Sequence, residues 1–294
     1  MQVQESRLSN LESLILKLHN RLSVLDKNRS WVEVKPLLQR IATSMLELTY
    51  QKTPPVDLNP ICELRLVNKV YTNAKTSQVI QLYPHEKGFI LQLERNIPEV
   101  RERTIIAHEI GHTLFYDMRT LPPKRIFSYR YPNESEHKEE WLAYDFARFL
   151  LLPEFMLRGS IPEKDAPPAP KDVLVHTRRY RVSYELYCHR VIRDLGLWKN
   201  AVCFAYEAEP SNGQFRRSKI YKGRNLRKLR VGGSSGLLAA NKTLLHSLVL
   251  ESALDRQAKS SIVEYKGIPY FLEVYTYMLQ PQRSVCMLKG YYKK

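Results

Sequence analysis

Residues 104–116 read Thr-Ile-Ile-Ala-His-Glu-Ile-Gly-His-Thr-Leu-Phe-Tyr, an apolar stretch that contains two histidines and a glutamate. It predicts a buried helix, and residues four apart on a helix lie about 40° apart around its axis. His108 and His112 therefore leave the same face, where both imidazoles can bind one metal ion. Glu109 lies beside them and can accept a proton from water. Two His and a Glu at this spacing are typical of zinc peptidases, so the pattern predicts amide hydrolysis.

A catalytic zinc site usually has three protein ligands and one open position, so one more ligand is needed. A second helix is predicted over residues 136–152, with helix-start residues before it and Pro153 as its stop. It carries Glu136, Glu139 and Glu140 near its beginning. Since Glu139 and Glu140 point about 100° apart, only one of them can face the metal. We choose Glu140 as the third ligand and keep Glu139 as the alternative.

Two small residues support this choice. Ala143 and Ala147 lie on the same side of the predicted helix as Glu140, where they let it approach the His helix closely. The competing interpretation is that the acidic residues form a solvated first turn, which the helix dipole favours. That interpretation fits Glu136 and Glu139 better than it fits Glu140.

A family resemblance rests on these two segments. Residues 103–112 and 140–153 resemble the core motifs of the ImmA/IrrE family of metallopeptidases. The family's second motif runs Glu, two residues, Ala-Asn, one residue, Phe-Ala, and then a Leu-rich stretch closed by Pro. The chain matches that motif at Glu140, Ala143, Phe146, Ala147, Leu150, Leu151 and Pro153. With segments 55–58 and 180–196 included, the resemblance covers residues 50–197.

The resemblance implies an α+β fold. A zincin-like metallopeptidase domain would carry a helix-turn-helix-like extension. In the distal part, strands are predicted over 201–206 and 214–221, a helix over 237–256, and three further strands after it. This order describes a smaller α/β domain, similar to the GAF-like domain of some family members. The resemblance implies Zn²⁺, with Mn²⁺ as a substitute, held by His108, His112 and Glu140, with Glu109 as the general base. The implied substrate is a helix-turn-helix transcriptional repressor, whose cleavage would derepress a stress or defence programme.

One position departs from the family motif. Tyr144 stands where the family usually has Asn. A metal-binding His normally donates its second N–H to a carboxylate or a carbonyl. We expect Tyr144, Asp145 or Asp117 to take that role here.

Composition limits the class of protein. The 294-residue chain has a net charge of +16, and its apolar share of 44% is ordinary for a globular protein. The first residues lack a secretory signal and no segment is long and apolar enough to span a bilayer, so we expect a cytoplasmic protein.

The four cysteines form no CxxC pair, which fits a reducing compartment. A minor alternative is that one of them binds the open position of the zinc in a resting form. They are Cys62, Cys188, Cys203 and Cys286.

The positive charge is concentrated in the distal half. Residues 1–160 hold 22 basic and 19 acidic residues, whereas residues 161–294 hold 24 and 11. This asymmetry favours a polyanionic partner, and aromatic residues between cations suit single-stranded nucleic acid. We expect such a strand to activate the protein. The candidate nucleic-acid-binding residues are Arg216, Arg217, Lys219, Lys222, Arg224, Arg227, Lys228 and Arg230.

Four parts are predicted along the chain. They are N-terminal helices packing on the protease (1–52), the metallopeptidase domain (53–160), a linker with helix-turn-helix-like helices (161–197), and a basic α/β sensor-like domain (198–294). The apolar face of the first helix is predicted from Leu8, Leu11, Ile15, Leu18, Leu22 and Leu25.

Two further expectations concern the cleft. Residues 88–93 alternate apolar and polar side chains and are predicted to form the edge strand beside the metal, where a substrate could pair as an added strand. The oxyanion-stabilising residue is left open among Tyr129, Tyr131 and His137.

Two other functions compete with the peptidase. One is a DNA-binding regulator whose zinc site is structural or vestigial, with a basic set near the predicted helix-turn-helix at His176, Arg178, Arg179 and Arg181. The other is a toxin-like protease with a different protein target. An intact Glu109 argues against a structural site, because such a site needs no base.

Overall fold

A computed structural model describes most of the chain, which forms two compact units. The first unit contains residues 1–160 and 179–182, and the second contains 161–178 and 183–294. Only the backbone is described at 2–3, 23–24, 132–137, 170–171, 204–208, 215–217, 264–265, 275–277 and 283–290. The described residues are 2–24, 34–72, 81–126, 132–161, 170–208, 215–217, 220–226, 229, 244, 247–248, 251–252, 257, 259–266, 268–277 and 283–290.

Six helices and five short strands are described up to residue 160. In chain order they are α1 Gln2–Val24, α2 Lys35–Leu48, α3 Asn59–Leu64, β1 Val67–Thr72, β2 Gln81–His85, β3 Gly88–Glu94, α4 Glu99–Thr113, β4 Tyr116–Asp117, β5 Lys124–Arg125, α5 Pro132–Leu151 and α6 Glu154–Arg158. The mixed α+β class predicted from the sequence is therefore confirmed. None of the described helices has the length and apolar character needed to cross a bilayer.

The helix that opens the chain packs against α2 through a face that differs from the prediction. The structure buries Leu11, Leu14, Leu18 and Leu22, while Leu8 is 42% exposed and Ile15 is half-buried. Leu25 lies outside the described residues. The prediction was wrong at Leu8 because leucines at spacings of three and four residues also run from Leu11 through Leu14 to Leu18. The spacing alone therefore does not decide which of the two helix faces is buried.

Two helices position the candidate site. α4 begins directly after Pro98 and buries Ile106, Ala107 and Ile110. α5 packs against α4 and also against α2, and it buries an apolar stripe at helical spacing. That stripe includes Leu142, Ala143, Phe146, Ala147, Phe149 and Leu150.

The sheet of the first unit corrects one prediction. Its order is β1-β3-β2, with β1 parallel and β2 antiparallel to β3. The strand at 88–94, which was predicted at the edge, is therefore central. Phe89, Leu91 and Leu93 are buried. Alternation reports only that one face of a strand is buried, so it cannot separate a central strand from an edge strand.

Beyond residue 160, two helices and a π-helical turn precede a second sheet. They are α7 Pro170–Tyr180, α8 Tyr184–Cys188 and the turn His189–Asp194. The strands are β6 Ala201–Ala208, β7 Phe215–Arg217, β8 Tyr221–Lys222, β9 Lys259–Tyr265, β10 Ile268–Tyr277 and β11 Arg283–Gly290.

These strands form one antiparallel sheet. Its order is β7-β6-β11-β10-β9, and β8 also pairs with β6. The single strand predicted over 214–221 is thus two short strands. Of the helix predicted over 237–256, the structure describes five helical residues, at 244, 247, 248, 251 and 252. Likeness to a GAF-like domain and the four-part division of the chain stay predictions.

Candidate metal centre

Three side chains from α4 and α5 converge on one point. Nε2 of His108 lies 3.0 Å from Nε2 of His112. The two carboxylate oxygens of Glu140 divide between the imidazoles: Oε2 lies 3.1 Å from His108 Nε2, and Oε1 lies 3.1 Å from His112 Nε2. Among the described residues, these three side chains form the cluster of His, Cys, Asp and Glu suited to a metal ion.

The spacing fits a small divalent cation. Zinc–nitrogen distances of 2.0–2.1 Å in a tetrahedral site place neighbouring donor atoms about 3.3 Å apart, close to the separations found here. Two imidazole nitrogens facing each other at 3.0 Å can share at most one proton. A shared cation satisfies both nitrogens and the carboxylate together. The residues therefore fit zinc or a similar ion.

Glu139 lies behind the donor set rather than in it. Its Oε1 accepts a hydrogen bond from Nδ1 of His112 at 2.8 Å, and its other oxygen pairs with Arg125 of β5. The Glu139 side chain is buried, whereas that of Glu140 is 47% exposed. A carboxylate on the second imidazole nitrogen fixes which nitrogen faces the metal. The alternative that Glu139 is the third ligand therefore does not match this geometry.

Without a metal ion, the pKa values of the two imidazoles are shifted in opposite directions. Burial, followed by the neighbouring His112, lowers the pKa of His108 to about 4. Burial also opposes charging of His112, but hydrogen bonds to Glu139 and Glu140 outweigh it and raise the pKa of His112 to about 9. The environment of the cluster thus favours a proton, and so a positive charge, on His112. A metal ion would displace that proton.

The candidate base is adjacent to this cluster. Glu109 is half-buried on α4. Burial raises the pKa of its carboxyl group, while His112 opposes that shift and the carboxylates of Glu140 and Glu139 add to it. A carboxylate with a raised pKa is a stronger base near neutral pH.

Close contact between the two helices holds the donor atoms in place. A Cβ atom added to Gly111 would lie 3.0 Å from Cα and 3.2 Å from Cβ of Ala143. The helices therefore touch backbone to backbone one residue before His112. This matches the expectation that a small residue at 143 permits close approach.

The departure at Tyr144 is resolved differently from the prediction. The Tyr144 ring lies 4.1 Å from the His108 ring, centroid to centroid, and is tilted by 44°. Nδ1 of His108 is buried without a hydrogen-bond partner among the described residues. Asp145 instead pairs with Lys35 and Arg148, and Asp117 with Arg119. Tyr144 thus meets His108 through its ring, and neither aspartate takes the predicted role.

Several predicted residues lie away from the centre or outside the description. Cys62, Cys188 and Cys203 are buried thiols that do not belong to the metal cluster. Tyr129 and Tyr131 lie outside the described residues, as do the side chains of Glu136, His137 and Cys286.

Of the eight candidate nucleic-acid-binding residues between Arg216 and Arg230, two have described side chains. Lys222 donates to the backbone oxygen of Leu229 at 2.6 Å, and Arg224 is exposed. The side chains of the other six lie outside the described residues: Arg216, Arg217, Lys219, Arg227, Lys228 and Arg230.

Two features were missed by reasoning from the sequence. The orienting role of Glu139 was hidden because Glu139 and Glu140 were treated as rivals for one task. Arg125 was missed because it lies fourteen residues earlier, in a two-residue strand that carries no motif. No sequence signal pointed to Arg125.

Comparison with known proteins agrees with the motifs. Residues 70–191 match the family described as the IrrE N-terminal-like domain, Peptidase_M78, which confirms the ImmA/IrrE resemblance for the segment that carries both motifs. Among solved structures, a Mycobacterium tuberculosis transcriptional regulator is similar in fold, with a TM-score of 0.52 and 15% sequence identity. The match covers 95% of this chain and 81% of the regulator. No curated protein matches the chain in sequence.

Proposed function

We propose that this chain, which carries an IrrE N-terminal-like domain of a metallopeptidase family, is a zinc-dependent endopeptidase that cleaves a helix-turn-helix transcriptional repressor. The observation that carries the proposal is the convergence of His108, His112 and Glu140 beside Glu109. A structural site has no use for an adjacent base, whereas a hydrolytic site requires one.

The geometry supports a role for each residue. His108, His112 and Glu140 would hold the ion. When bound, zinc polarises a peptide carbonyl and makes water more acidic. Glu109 accepts the proton from the attacking water and passes it to the leaving amine nitrogen. Glu139 keeps His112 oriented, and Arg125 neutralises the buried charge of Glu139.

Transcriptional control is the second element of the proposal. The family resemblance points to a repressor as substrate, and the similar solved structure is itself a transcriptional regulator. We place the protein in the cytoplasm, where such a repressor meets DNA. Cleavage of the repressor would release genes of a stress or defence programme.

The test is proteolysis of a helix-turn-helix repressor encoded beside this gene. Purified chain is incubated with the repressor and Zn²⁺ or Mn²⁺, and fragments are identified by mass spectrometry. A chelator should stop cleavage and added metal should restore it. Glu109→Gln should bind zinc as tightly as the wild type while cleavage falls by several orders of magnitude.

The competing function is a DNA-binding regulator with a structural zinc site. It gains support from the regulator-like fold. It predicts that Glu109→Gln changes no function at all, and that no repressor is cut under any condition. A third outcome, metal-dependent cutting of another protein but not of the repressor, would favour the toxin-like protease.

Activation by single-stranded nucleic acid is a further part of the proposal, supported by the charge of residues 161–294. Arg224 is exposed, whereas burial lowers the pKa of Lys222 and its ammonium group already binds Leu229. We therefore expect Arg224→Ala to weaken single-stranded DNA binding more than Lys222→Ala. Triple substitution of Arg224, Arg227 and Lys228 should abolish activation; unchanged cleavage with and without DNA would refute this part.

A further inference from the structure

A cavity lies between α1 and the segment that follows α4. Its volume is about 600 Å³, within the range of small-molecule sites. Part of its lining is apolar and open to solvent: Leu8, Leu16 and Leu66 are 42%, 51% and 45% exposed. Exposed leucines gathered around one concave site are costly in water, and an apolar ligand would cover them.

Two arginines line this cavity, Arg65 and Arg119, and Arg119 is paired with Asp117. Arg65 is only 6% exposed. Its Nε donates to Oγ1 of Thr113 at 2.9 Å, and its Nη2 donates to the backbone oxygen of Thr113 at 2.8 Å. Within the described part of the chain, no carboxylate lies at ion-pair distance from it, and burial lowers its pKa to about 10.

Capping of α4 explains only part of this arrangement. A cation at the C-terminal end of a helix is stabilised by the helix dipole, which accounts for the two bonds to Thr113. The third nitrogen, Nη1, makes no hydrogen bond to the described residues, yet it is not among the polar atoms sealed from solvent. Arg65 thus keeps one donor nitrogen without a partner among the described residues, at a cavity that it lines.

The other charged groups around the cavity leave Arg65 as the group for a ligand to meet. Asp117 is held by Arg119 through two bonds of 2.9 and 2.8 Å. Glu12 lies on the exposed surface of α1. His19 contacts the backbone oxygen of Leu114, and burial lowers its pKa, so it is neutral at pH 7.

We propose that this cavity is a binding site for a small carboxylate with an apolar body, whose carboxylate group pairs with Arg65 while its apolar part covers Leu8, Leu16 and Leu66. Because Arg119 is already paired with Asp117, the remaining guanidinium nitrogen of Arg65 suits a single negative charge, whereas a phosphate dianion would need further cations. The ligand is thus a monocarboxylic acid with an alkyl or aryl body. The proposal is independent of the peptidase activity.

The test uses the full chain and octanoate, with octylammonium as a probe of equal length and opposite charge. Isothermal titration should give saturable binding of octanoate and at least roughly tenfold weaker binding of octylammonium, since a charge-assisted hydrogen bond is gained only by the anion. Leu16→Asp places a negative charge in the exposed lining and should weaken octanoate binding by a similar factor. Leu121→Asp is the matched control, because Leu121 is 59% exposed and does not line the cavity.

Arg65→Gln should remove the preference for octanoate over octylammonium. If that variant does not fold, the comparison of Leu16→Asp with Leu121→Asp still decides the question. Three results would each overturn the proposal: no saturable octanoate binding, equal affinity for the two probes, or equal binding by the two Asp variants.

Discussion

Gly111 of α4 faces Ala143 of α5 so closely that a Cβ atom on Gly111 would lie 3.0 Å from the Cα atom of Ala143. Gly111 directly precedes His112, and Ala143 lies one helical turn after Glu140. The contact therefore sets the distance between a donor nitrogen on one helix and donor oxygens on the other. An added methyl group at Gly111 would therefore press on the helix that carries Glu140.

Gly111→Ala should separate α4 from α5 and move Glu140 away from the imidazoles. We expect a stability loss of about 1–3 kcal/mol, the usual cost of overpacking, together with clearly weaker zinc binding. Thermal unfolding and competition with a chromophoric chelator measure the two effects. Gly159→Ala is the control, because a Cβ there would meet its nearest atom at 3.6 Å. Unchanged zinc affinity in Gly111→Ala would show that the contact does not set the donor geometry.

Glu139→Gln and Glu140→Gln should differ in degree. Loss of the carboxylate that orients His112 should weaken zinc binding roughly 10- to 100-fold, whereas loss of a direct ligand should weaken it further. The readout is the zinc dissociation constant at fixed pH. Glu63→Gln serves as the control, because Glu63 is an exposed residue of α3. A larger loss for Glu139→Gln than for Glu140→Gln would exchange their assigned roles.

Tyr144 should act on His108 through its ring. Because the two rings lie 4.1 Å apart, Tyr144→Ala should lower zinc affinity, while Tyr144→Phe should retain it. Zinc dissociation constants for the wild type and the two variants show whether the ring or the hydroxyl group of Tyr144 matters. Equal losses in the two variants would mean that the hydroxyl group orients the metal site.

The Cys62 thiol should be inert in the native protein. Burial raises its pKa to about 11, so the thiolate needed for alkylation is scarcer at pH 7.5 than in the unfolded chain by about a hundredfold. The reactivity of the Cys62 thiol should therefore rise with pH and when the protein unfolds. Labelling with iodoacetamide, resolved by peptide mass spectrometry, checks it. Rapid native labelling would instead indicate an accessible, ionised thiol able to reach a metal.

Local patterns accounted for the parts of the site that lie on one helix. The spacing of His108 and His112 determines a shared face, and the small residue at 143 marked where the second helix comes close. Helical geometry allowed only one of Glu139 and Glu140 to face the metal, and Glu140 was preferred because it shares a helix face with the small residues Ala143 and Ala147. The family match over residues 70–191 then supported both motifs together.

Contacts between distant segments were not predictable in this way. Arg125 reaches Glu139 only because β4 and β5 pair after the turn that follows α4. The central position of β3 depends on β1 and β2 both pairing with it, and a strand's own alternation does not encode its neighbours. The burial of Leu14 in place of Leu8 likewise depends on where α2 lies against α1.

The zinc X-ray absorption spectrum of the zinc-loaded full chain, compared with that of Glu140→Gln, tests whether His108, His112 and Glu140 hold the metal. We expect two imidazole ligands with nitrogen and oxygen donors at about 2.0–2.1 Å and no sulfur at about 2.3 Å, with the oxygen shell altered in the variant. A sulfur shell, fewer than two imidazoles, or a spectrum unaffected by Glu140→Gln would contradict the assignment of His108, His112 and Glu140 as the metal ligands.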